Sequence, residues 1–296
     1  MRIGVDLGGT KIEAIAIEGT TERLRRRVAA PRGDYAATVA AVRDLVEAIE
    51  RELGVTGTVG IGIPGAISAL TGLVKNANST WLIGHPLDRD LELALGRPVR
   101  VSNDANCFAL SEATDGAARG AVAVFGVILG TGTGAGVVVN GRVLEGRHRI
   151  AGEWGHNPLP WPEDGERPGP SCYCGRSGCI ETFLSGPGLS ATYSALSGQT
   201  VEAADIAALA ASGDACANRA MDTYESRLAR ALASIINVLD PDVIVLGGGL
   251  SNIARLYTRV PPLLKPFVFS DSADTPLVAA RHGDSSGVRG AAWLWP

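Results

Sequence analysis

The stretch that decides the fold is Asp6-Leu7-Gly8-Gly9-Thr10-Lys11, a glycine/threonine turn between two predicted strands. Residues 3–5 form the strand before it and residues 12–17 the strand after it, because both runs are rich in branched apolar side chains. Residues 24–29 supply a third strand. The turn therefore opens a three-stranded meander at the start of the chain.

A helix and two further strands are predicted to follow the meander. Asp34 is a plausible N-cap for a helix that ends near Leu53, and Gly54 stops it. Residues 59–63 read as a buried strand that ends at Pro64-Gly65. Residues 99–101 form another strand, which ends at Asn103-Asp104 before a helix over 105–114.

The same order recurs in the second half of the chain. A strand over 122–129 leads into the turn Gly130-Thr131-Gly132-Thr133-Gly134, and strands over 135–139 and 142–144 return from it. A helix over 217–239 then leads to a strand over 243–246 and the turn Gly247-Gly248-Gly249. An internal duplication of a β-β-β-α-β unit explains this order.

The duplication predicts an α/β protein with two lobes around a central cleft. We expect an N-terminal lobe over 1–115 and a C-terminal lobe over 116–284, with a terminal helix at about 285–296 packing back on the first lobe. Residues 151–185 have no counterpart in the first half and read as a functional insertion within the second lobe.

Composition and charge exclude several classes of function. The 296 residues are 46% hydrophobic, which suffices for a sizeable core, and the formal net charge is −4. The arginines over 23–27 read as a solvated strand face. No apolar stretch approaches the roughly 20 residues of a membrane span, and nothing at the N-terminus suggests targeting. We expect a cytoplasmic protein whose main partner is neither nucleic acid nor a membrane.

His156 and the segment Cys172-Tyr-Cys174-Gly-Arg-Ser-Gly-Cys179 have the residue types and spacing of a closed, structural Zn²⁺ site. Glycines between Cys174 and Cys179 let the backbone fold sharply there. A disulfide in this loop is the alternative, and it is disfavoured because cytosolic cysteines are more often metal ligands or free thiols. Cys107 and Cys216 read as structural thiols.

The two glycine/threonine turns predict phosphate binding. Backbone N–H groups and hydroxyls can approach phosphate oxygens where no Cβ intervenes, and Lys11 adds a positive charge. A single Gly-Gly-Thr turn is often only a turn, but two in corresponding places of a repeat favour a phosphate clamp. Neither turn is a P-loop, and neither carries the G-x-G-x-x-G dinucleotide fingerprint.

Asp104 follows a short buried strand and opens a helix, a place from which a carboxylate can act on a substrate. In phosphoryl transfer to an alcohol, one carboxylate takes the substrate proton. The alternative interpretation is an N-cap for the following helix, and the two are compatible. Loop residues offer donors and acceptors for sugar hydroxyls, and among them Glu153 and Glu181 lie beside zinc ligands in sequence.

These motifs together resemble the ROK family (repressors, open reading frames and sugar kinases), which has a duplicated actin-like, ribonuclease-H-like ATPase fold. The resemblance covers essentially the whole chain, and the cysteine segment is its most specific part. Residues 75–81, 154–161 and the end HGDSSGVRGAAWLW look like bacterial ROK fructokinases that also act on mannose. One departure is the 15 residues between His156 and Cys172, which is long for the family.

The resemblance implies a role for individual residues. Asp104 would be the catalytic base, and Mg²⁺ would accompany ATP. The zinc ligands would be His156, Cys172, Cys174 and Cys179. The sugar contacts would be Gly65, Asn78, Asn103, Asp104, Glu153, His156 and Glu181. The ATP contacts would be Asp6, Gly8, Gly9, Thr10, Lys11, Gly130, Thr131, Gly132, Thr133, Gly134, Gly136, Gly247 and Gly248.

The resulting hypothesis is a fructokinase that makes fructose 6-phosphate from ATP, with mannose as a second substrate and a homodimer expected from the family. An N-acetylglucosamine kinase or glucokinase on the same scaffold is the alternative. A sugar-responsive regulator is disfavoured because the phosphate turn begins at residue 6 and leaves no room for a helix-turn-helix. A non-catalytic sugar-binding protein is disfavoured by Asp104 and the two turns.

Overall fold

A computed structural model describes residues 1–283 and 285–296 with their side chains, and Asp284 by its backbone. Contacts divide the chain into two compact units. The N-terminal unit comprises Met1–Gly120, Gly136–Ala151 and Asp284–Pro296, and the C-terminal unit comprises Ala121–Ala135 and Gly152–Gly283. The boundary expected at 115/116 therefore differs from these units, which assign residues 136–151 to the first.

Groups of strands and groups of helices follow one another along the chain. The strands are β1 (Arg2–Leu7), β2 (Lys11–Glu18), β3 (Thr21–Ala29), β4 (Thr58–Ile63), β5 (Ala66–Ile67), β6 (Val74–Lys75), β7 (Val99–Asn103), β8 (Ala123–Leu129), β9 (Thr133–Val139), β10 (Arg142–Val143), β11 (Val243–Gly247) and β12 (Leu277–Ala279). The α-helices are α1 (Tyr35–Leu53), α2 (Leu87–Leu95), α3 (Asp104–Thr114), α4 (Ile180–Leu184), α5 (Gly186–Ser197), α6 (Ala203–Ala211), α7 (Ala215–Leu239), α8 (Leu256–Leu264) and α9 (Ser286–Ala292).

The first sheet has the order β3-β2-β1-β4-β7. Strands β1, β2 and β3 are antiparallel neighbours, whereas β4 and β7 extend the sheet in parallel with β1. The central strands β1 and β4 are almost completely buried, as their apolar runs require. The carboxyl ends of β1, β4 and β7 lie at one edge of the sheet, where ligands commonly bind in open α/β sheets.

The second sheet repeats this arrangement with the order β10-β9-β8-β11-β12. Strand β9 pairs antiparallel with β10, β8 pairs parallel with β11, and β11 in turn pairs parallel with β12. The strand order is the same as in the first sheet, so the internal duplication predicted from the two turns is confirmed.

Helix α1 forms where its sequence signals predict it. The side chain of Asp34 accepts a hydrogen bond from the Ala37 amide at 2.9 Å, and Gly54 ends the helix in the left-handed region at φ 65°. Its buried residues follow helical spacing and comprise Thr38, Val42, Leu45, Val46 and Ile49. One face of the helix therefore covers the first sheet.

Helix α9 packs back on the N-terminal unit, against α3, β1 and β4. Glycines make this approach possible: a Cβ on Gly60 would lie 1.9 Å from the carbonyl oxygen of Ala291, and one on Gly290 would lie 1.6 Å from that of Cys107. Arg289 forms a buried ion pair with Asp115, which is the C-cap residue of α3. The end of the chain is thus a core element of the first unit.

The arginines of β3 are paired with carboxylates. Arg25 and Arg27 both contact Glu13, whose side chain is 3% exposed, and Arg26 contacts Glu52. The strand is mostly exposed, which agrees with the interpretation of residues 23–27 as a solvated strand face.

The insertion between β10 and α5 consists mainly of loops and short turns in the C-terminal unit. Isolated bridges join Pro158 to Cys179 and Ser171 to Ser177. In between, the loop over 157–171 reaches α7, where the buried carboxylate of Glu166 accepts two hydrogen bonds from Arg230, at 2.7 and 2.9 Å. The long loop therefore has a defined path. Among the described residues, no helix is both long and apolar enough to cross a membrane.

Candidate active site and metal centre

The first phosphate turn lies at the carboxyl end of β1. The Gly8 amide donates to the Lys11 carbonyl at 3.0 Å and closes the turn. Asp6 precedes it, and burial, followed by the negative charges of Asp104 and Glu13, raises the pKa of Asp6 to about 6. The Nζ atom of Lys11 lies 3.9 Å from a carboxylate oxygen of Glu13. The positive charge of Lys11 opposes the increase and lowers the pKa of Asp6. The turn thus combines a lysine with a carboxylate that carries a raised pKa.

Asn103 and Asp104 lie where β7 passes into α3. The Asn103 side-chain oxygen accepts hydrogen bonds from the amides of Ala105 and Asn106, at 2.9 and 3.4 Å. The helix cap is therefore Asn103, and the alternative interpretation of Asp104 as the N-cap is wrong. Asp104 occupies the first helical position, and its negative charge contributes to the raised pKa of Asp6.

Gly65 and Asn78, two of the predicted sugar contacts, flank the small β5–β6 hairpin. Gly65 adopts φ 75°, and a Cβ there would lie 2.3 Å from the Lys75 carbonyl oxygen, so the position requires glycine. The side-chain amide of Asn103 donates to the Gly65 carbonyl at 3.0 Å. Asn78 adjoins Ser79, whose hydroxyl would lie 3.3 Å from a Cβ on Gly9. Gly65 and Asn103 are therefore in direct contact.

The second phosphate turn is held by the metal-loop segment of its own unit. The Thr133 amide donates to the Glu181 carboxylate at 2.9 Å, and the Gly186 amide donates to the Gly130 carbonyl at 2.7 Å. Glu181 thus supports the turn, in addition to the sugar contact predicted for it. Gly136 has a packing role, since a Cβ there would lie 2.4 Å from the Ala105 carbonyl oxygen.

A cavity of about 410 Å³ opens beside the turn that follows β11. Its walls are the small residues of α6 together with the segment from Gly249 to Arg255. Gly248 adopts φ 79° and packs onto the end of β8, where a Cβ would lie 2.4 Å from the Leu129 carbonyl oxygen. The family resemblance implied ATP contacts at Gly247 and Gly248, which directly precede this cavity lining, but it did not point to the α6 wall, whose signal is the alanine-rich run 203–211.

The four predicted metal ligands come together in the C-terminal unit. One potential ligand atom from each of His156, Cys172, Cys174 and Cys179 lies within 4.8 Å of the others. The Cys172 Sγ to His156 Nδ1 and the Cys174 Sγ to Cys179 Sγ distances are both 3.6 Å. Bond lengths of a tetrahedral zinc site imply ligand separations of about 3.5 to 3.8 Å. The cysteines are free thiols, so the disulfide alternative is not supported and the geometry fits a metal ion.

The cysteine hairpin is shaped by its glycines. Gly175 and Gly178 have φ 86° and 70°, conformations that favour glycine. The Cys172 amide donates to the Arg176 carbonyl at 2.7 Å, which closes the hairpin. The sharp fold predicted between Cys174 and Cys179 is therefore confirmed.

Tyr173 is a residue of this centre that sequence reasoning missed. Its hydroxyl lies 3.0 Å from His156 Nε2, and the two rings meet edge to face. Glu153 begins the helical turn that ends at His156. The hydroxyl of Tyr173 therefore connects the cysteine hairpin to that helical turn.

The duplicated sheets and their turns define the actin-like ATPase fold. The chain belongs to the ROK family, whose family model matches residues 2–296, so the family resemblance predicted from the sequence is confirmed. The structure is similar to a ROK hexokinase from Thermus thermophilus (TM-score 0.87, 34% identity, covering 99% of this chain and 97% of that one). It is also similar to a ROK glucokinase from Streptomyces griseus solved with glucose and AMPPNP (TM-score 0.77, 27% identity, 99% and 98% covered).

Relatives in sequence are also sugar kinases. The chain is 44% identical to an N-acetyl-D-glucosamine kinase of Vibrio cholerae, with 99% of each chain covered. It is 42% identical to one of Yersinia pseudotuberculosis, with 99% and 98% covered. Both relatives are named for N-acetylglucosamine and not for fructose.

Proposed function

We propose that this protein is an ATP-dependent hexose kinase that transfers a phosphoryl group to the 6-hydroxyl of N-acetylglucosamine. The observation that carries this proposal is the full-length similarity, at 44% identity, to a kinase named for that sugar. A relative solved with glucose and AMPPNP supports an ATP-dependent reaction on a hexose. The acidic pair Asp6 and Asp104, at the carboxyl ends of parallel strands, supports the chemistry.

Asp104 is proposed as the catalytic base. The oxygen of the sugar hydroxyl attacks the γ-phosphorus, the bond to ADP breaks, and the hydroxyl proton passes to the Asp104 carboxylate. Asn103 caps α3 and contacts Gly65, so it fixes the backbone from which Asp104 projects. A positioned general base contributes about 10²- to 10⁴-fold to such a reaction.

The nucleotide is proposed to use the cavity beside α6. At about 410 Å³ it falls in the usual range of small-molecule sites, and its alanine wall offers an apolar surface to a purine. The two glycine/threonine turns would supply amides to the phosphates. Mg²⁺ bound with ATP would neutralise phosphate charge, and Asp6 is the carboxylate suited to interact with its hydration shell.

The metal centre is proposed to hold Zn²⁺ in a structural role. Three thiolates and one imidazole are ligands that zinc prefers, and four protein ligands leave no open position for a substrate. Bound zinc would fix the hairpin that leads into α4, which carries Glu181. The metal would therefore shape the segment that supports the second phosphate turn.

Fructose, with mannose, is the second candidate substrate. The specific observation in its favour is the similarity of residues 75–81 and 154–161 to ROK fructokinases. Both segments contain or adjoin residues predicted to contact sugar, namely Asn78, Glu153 and His156.

A substrate panel tests these assignments. The ratio kcat/KM is measured for N-acetylglucosamine, fructose, mannose and glucose at saturating Mg²⁺ and ATP. We expect N-acetylglucosamine to lead by at least about tenfold. A lead by fructose or mannose would transfer the assignment to the second candidate, and a lead by glucose would reject both.

The Asp104→Asn variant controls for contaminating kinases. Its kcat should fall by about 10²- to 10⁴-fold, whereas Asp44→Asn, on an exposed position of α1, should match the wild type. Absence of turnover on every sugar by the wild type would reject the kinase assignment itself.

A further inference from the structure

In the sequence, Tyr173 lies between Cys172 and Cys174, two of the predicted metal ligands, but the proposed function gives it no role. Its side chain is 82% exposed, so its burial contributes little to the stability of the fold. Its hydroxyl nevertheless lies 3.0 Å from Nε2 of His156, with the ring planes at 87° and the centroids 5.1 Å apart. The hydroxyl of an exposed tyrosine is thus within hydrogen-bond distance of one ring nitrogen of His156, a predicted metal ligand.

The two nitrogens of His156 face different partners. Nδ1 lies 3.6 Å from Cys172 Sγ and so faces the cluster, whereas Nε2 faces Tyr173. A metal ion bound at Nδ1 leaves the imidazole proton on Nε2, because neutral imidazole carries one proton. The Nε2–H group then donates, and the tyrosine oxygen accepts.

Histidine ligands in metal sites usually donate their second N–H to a carboxylate, a backbone carbonyl or water, and this partner fixes the tautomer and the ring orientation. We propose that Tyr173 is this positioning residue for His156, and that it raises the affinity of the centre for metal. This inference rests on the proposed zinc site.

The hairpin itself makes Tyr173 a suitable partner. The Cys172 amide donates to the Arg176 carbonyl, and the Gly175 amide donates to the Cys172 carbonyl at 3.0 Å. The backbone on either side of Tyr173 is therefore fixed by the same turn that aligns the thiols. A hydroxyl supplied from within the hairpin orients the fourth ligand, which comes from a separate segment of the chain.

The test is the zinc affinity of full-length Tyr173→Phe, measured by competition with a chromophoric chelator. Removal of a hydrogen-bond partner of a metal-ligand histidine typically lowers metal affinity 10- to 100-fold, and we expect a loss of about tenfold. Tyr257→Phe is the matched control, because it removes a tyrosine hydroxyl that donates to the Ser251 carbonyl. Its zinc affinity should equal that of the wild type.

Two further readouts separate a positioning role from other roles. The melting temperature of metal-free Tyr173→Phe should match that of the metal-free wild type, because the ring is exposed. At saturating zinc, kcat should differ from that of the wild type by less than about twofold. Unchanged zinc affinity overturns the inference, and a raised sugar KM with unchanged zinc affinity assigns Tyr173 to the sugar instead. A wild type that binds no zinc rejects the proposed metal site as well, whatever its kinase activity.

Discussion

Asp6 illustrates how strongly a single residue depends on its surroundings. Its position beside a glycine/threonine turn is visible in the sequence, but its pKa of about 6 follows from burial and from the nearby charge of Asp104. The ordinary pKa of an aspartate is 3.8, so the folded protein holds this proton more tightly than the unfolded chain. Between about pH 4 and 6, the contribution of Asp6 to the free energy of unfolding therefore falls as the pH rises.

This shift leads to opposite predictions for stability and activity. In the nucleotide-free protein at pH 7, Asp6→Asn should raise the free energy of unfolding by roughly 1 to 3 kcal/mol, because it removes an ionised carboxylate whose burial is unfavourable. It should also lower kcat/KM for ATP by about a hundredfold or more, because the Mg²⁺–nucleotide loses a negative partner. Urea unfolding and initial rates from pH 4.5 to 8 measure both effects.

The exposed Asp44→Asn variant serves as the control and should change neither quantity. In the wild type, kcat/KM for ATP should decline below about pH 6, as the Asp6 carboxylate becomes protonated. A loss of stability in Asp6→Asn at pH 7 would contradict the raised pKa.

At the scale of elements, the long loop between the metal ligands depends on one buried ion pair. Glu166 accepts from Arg230 and from Arg227, and these charges hold its pKa down to about 2 despite the opposing effect of burial. Arg230 also donates to the Trp161 carbonyl at 2.7 Å. The loop is therefore fixed to α7 at two points between His156 and Cys172.

Removal of this charge should be costly. Glu166→Gln leaves two arginines without their carboxylate, one of them almost completely buried, and should lower the free energy of unfolding by about 3 to 5 kcal/mol. Glu52→Gln is the control, because it breaks an exposed pair with Arg26 and should cost less than about 1 kcal/mol. Chemical denaturation of both variants provides the comparison, and equal effects would show that the buried pair does not anchor the loop.

The cysteine hairpin and the N-cap of α3 differ in how well the local sequence predicts them. The spacing of the cysteines predicts a metal centre because the ligands lie close in sequence and the hairpin is local. The sequence allows Asp104 as the N-cap of α3, whereas the N-cap in the structure is Asn103. Adjacent aspartate and asparagine are equally good caps, so the choice depends on where β7 ends.

At the scale of the whole molecule, the last helix of the chain belongs to the first unit. Gly60→Ala should therefore be severely destabilising, by about 3 kcal/mol or more, since the new Cβ would lie 1.9 Å from the Ala291 carbonyl oxygen. Gly165→Ala is the matched control, because no atom lies within 4 Å of its Cβ position. Thermal melts should show a large loss for the first and little change for the second, whereas a stable Gly60→Ala would contradict the packing of α9.

The sequence by itself determined the duplicated β-β-β-α-β order, the bounds of α1, the two glycine/threonine turns and the grouping of His156 with three cysteines. Each of these follows from local rules, since turn glycines, helix caps, apolar periodicity and ligand spacing act over a few residues. The tertiary structure alone decided that residues 136–151 group with the first unit, that Gly136 packs against Ala105, that α6 lines a cavity, and that Tyr173 meets His156. These features depend on contacts between segments distant in sequence or on side-chain orientation, and no local pattern encodes either.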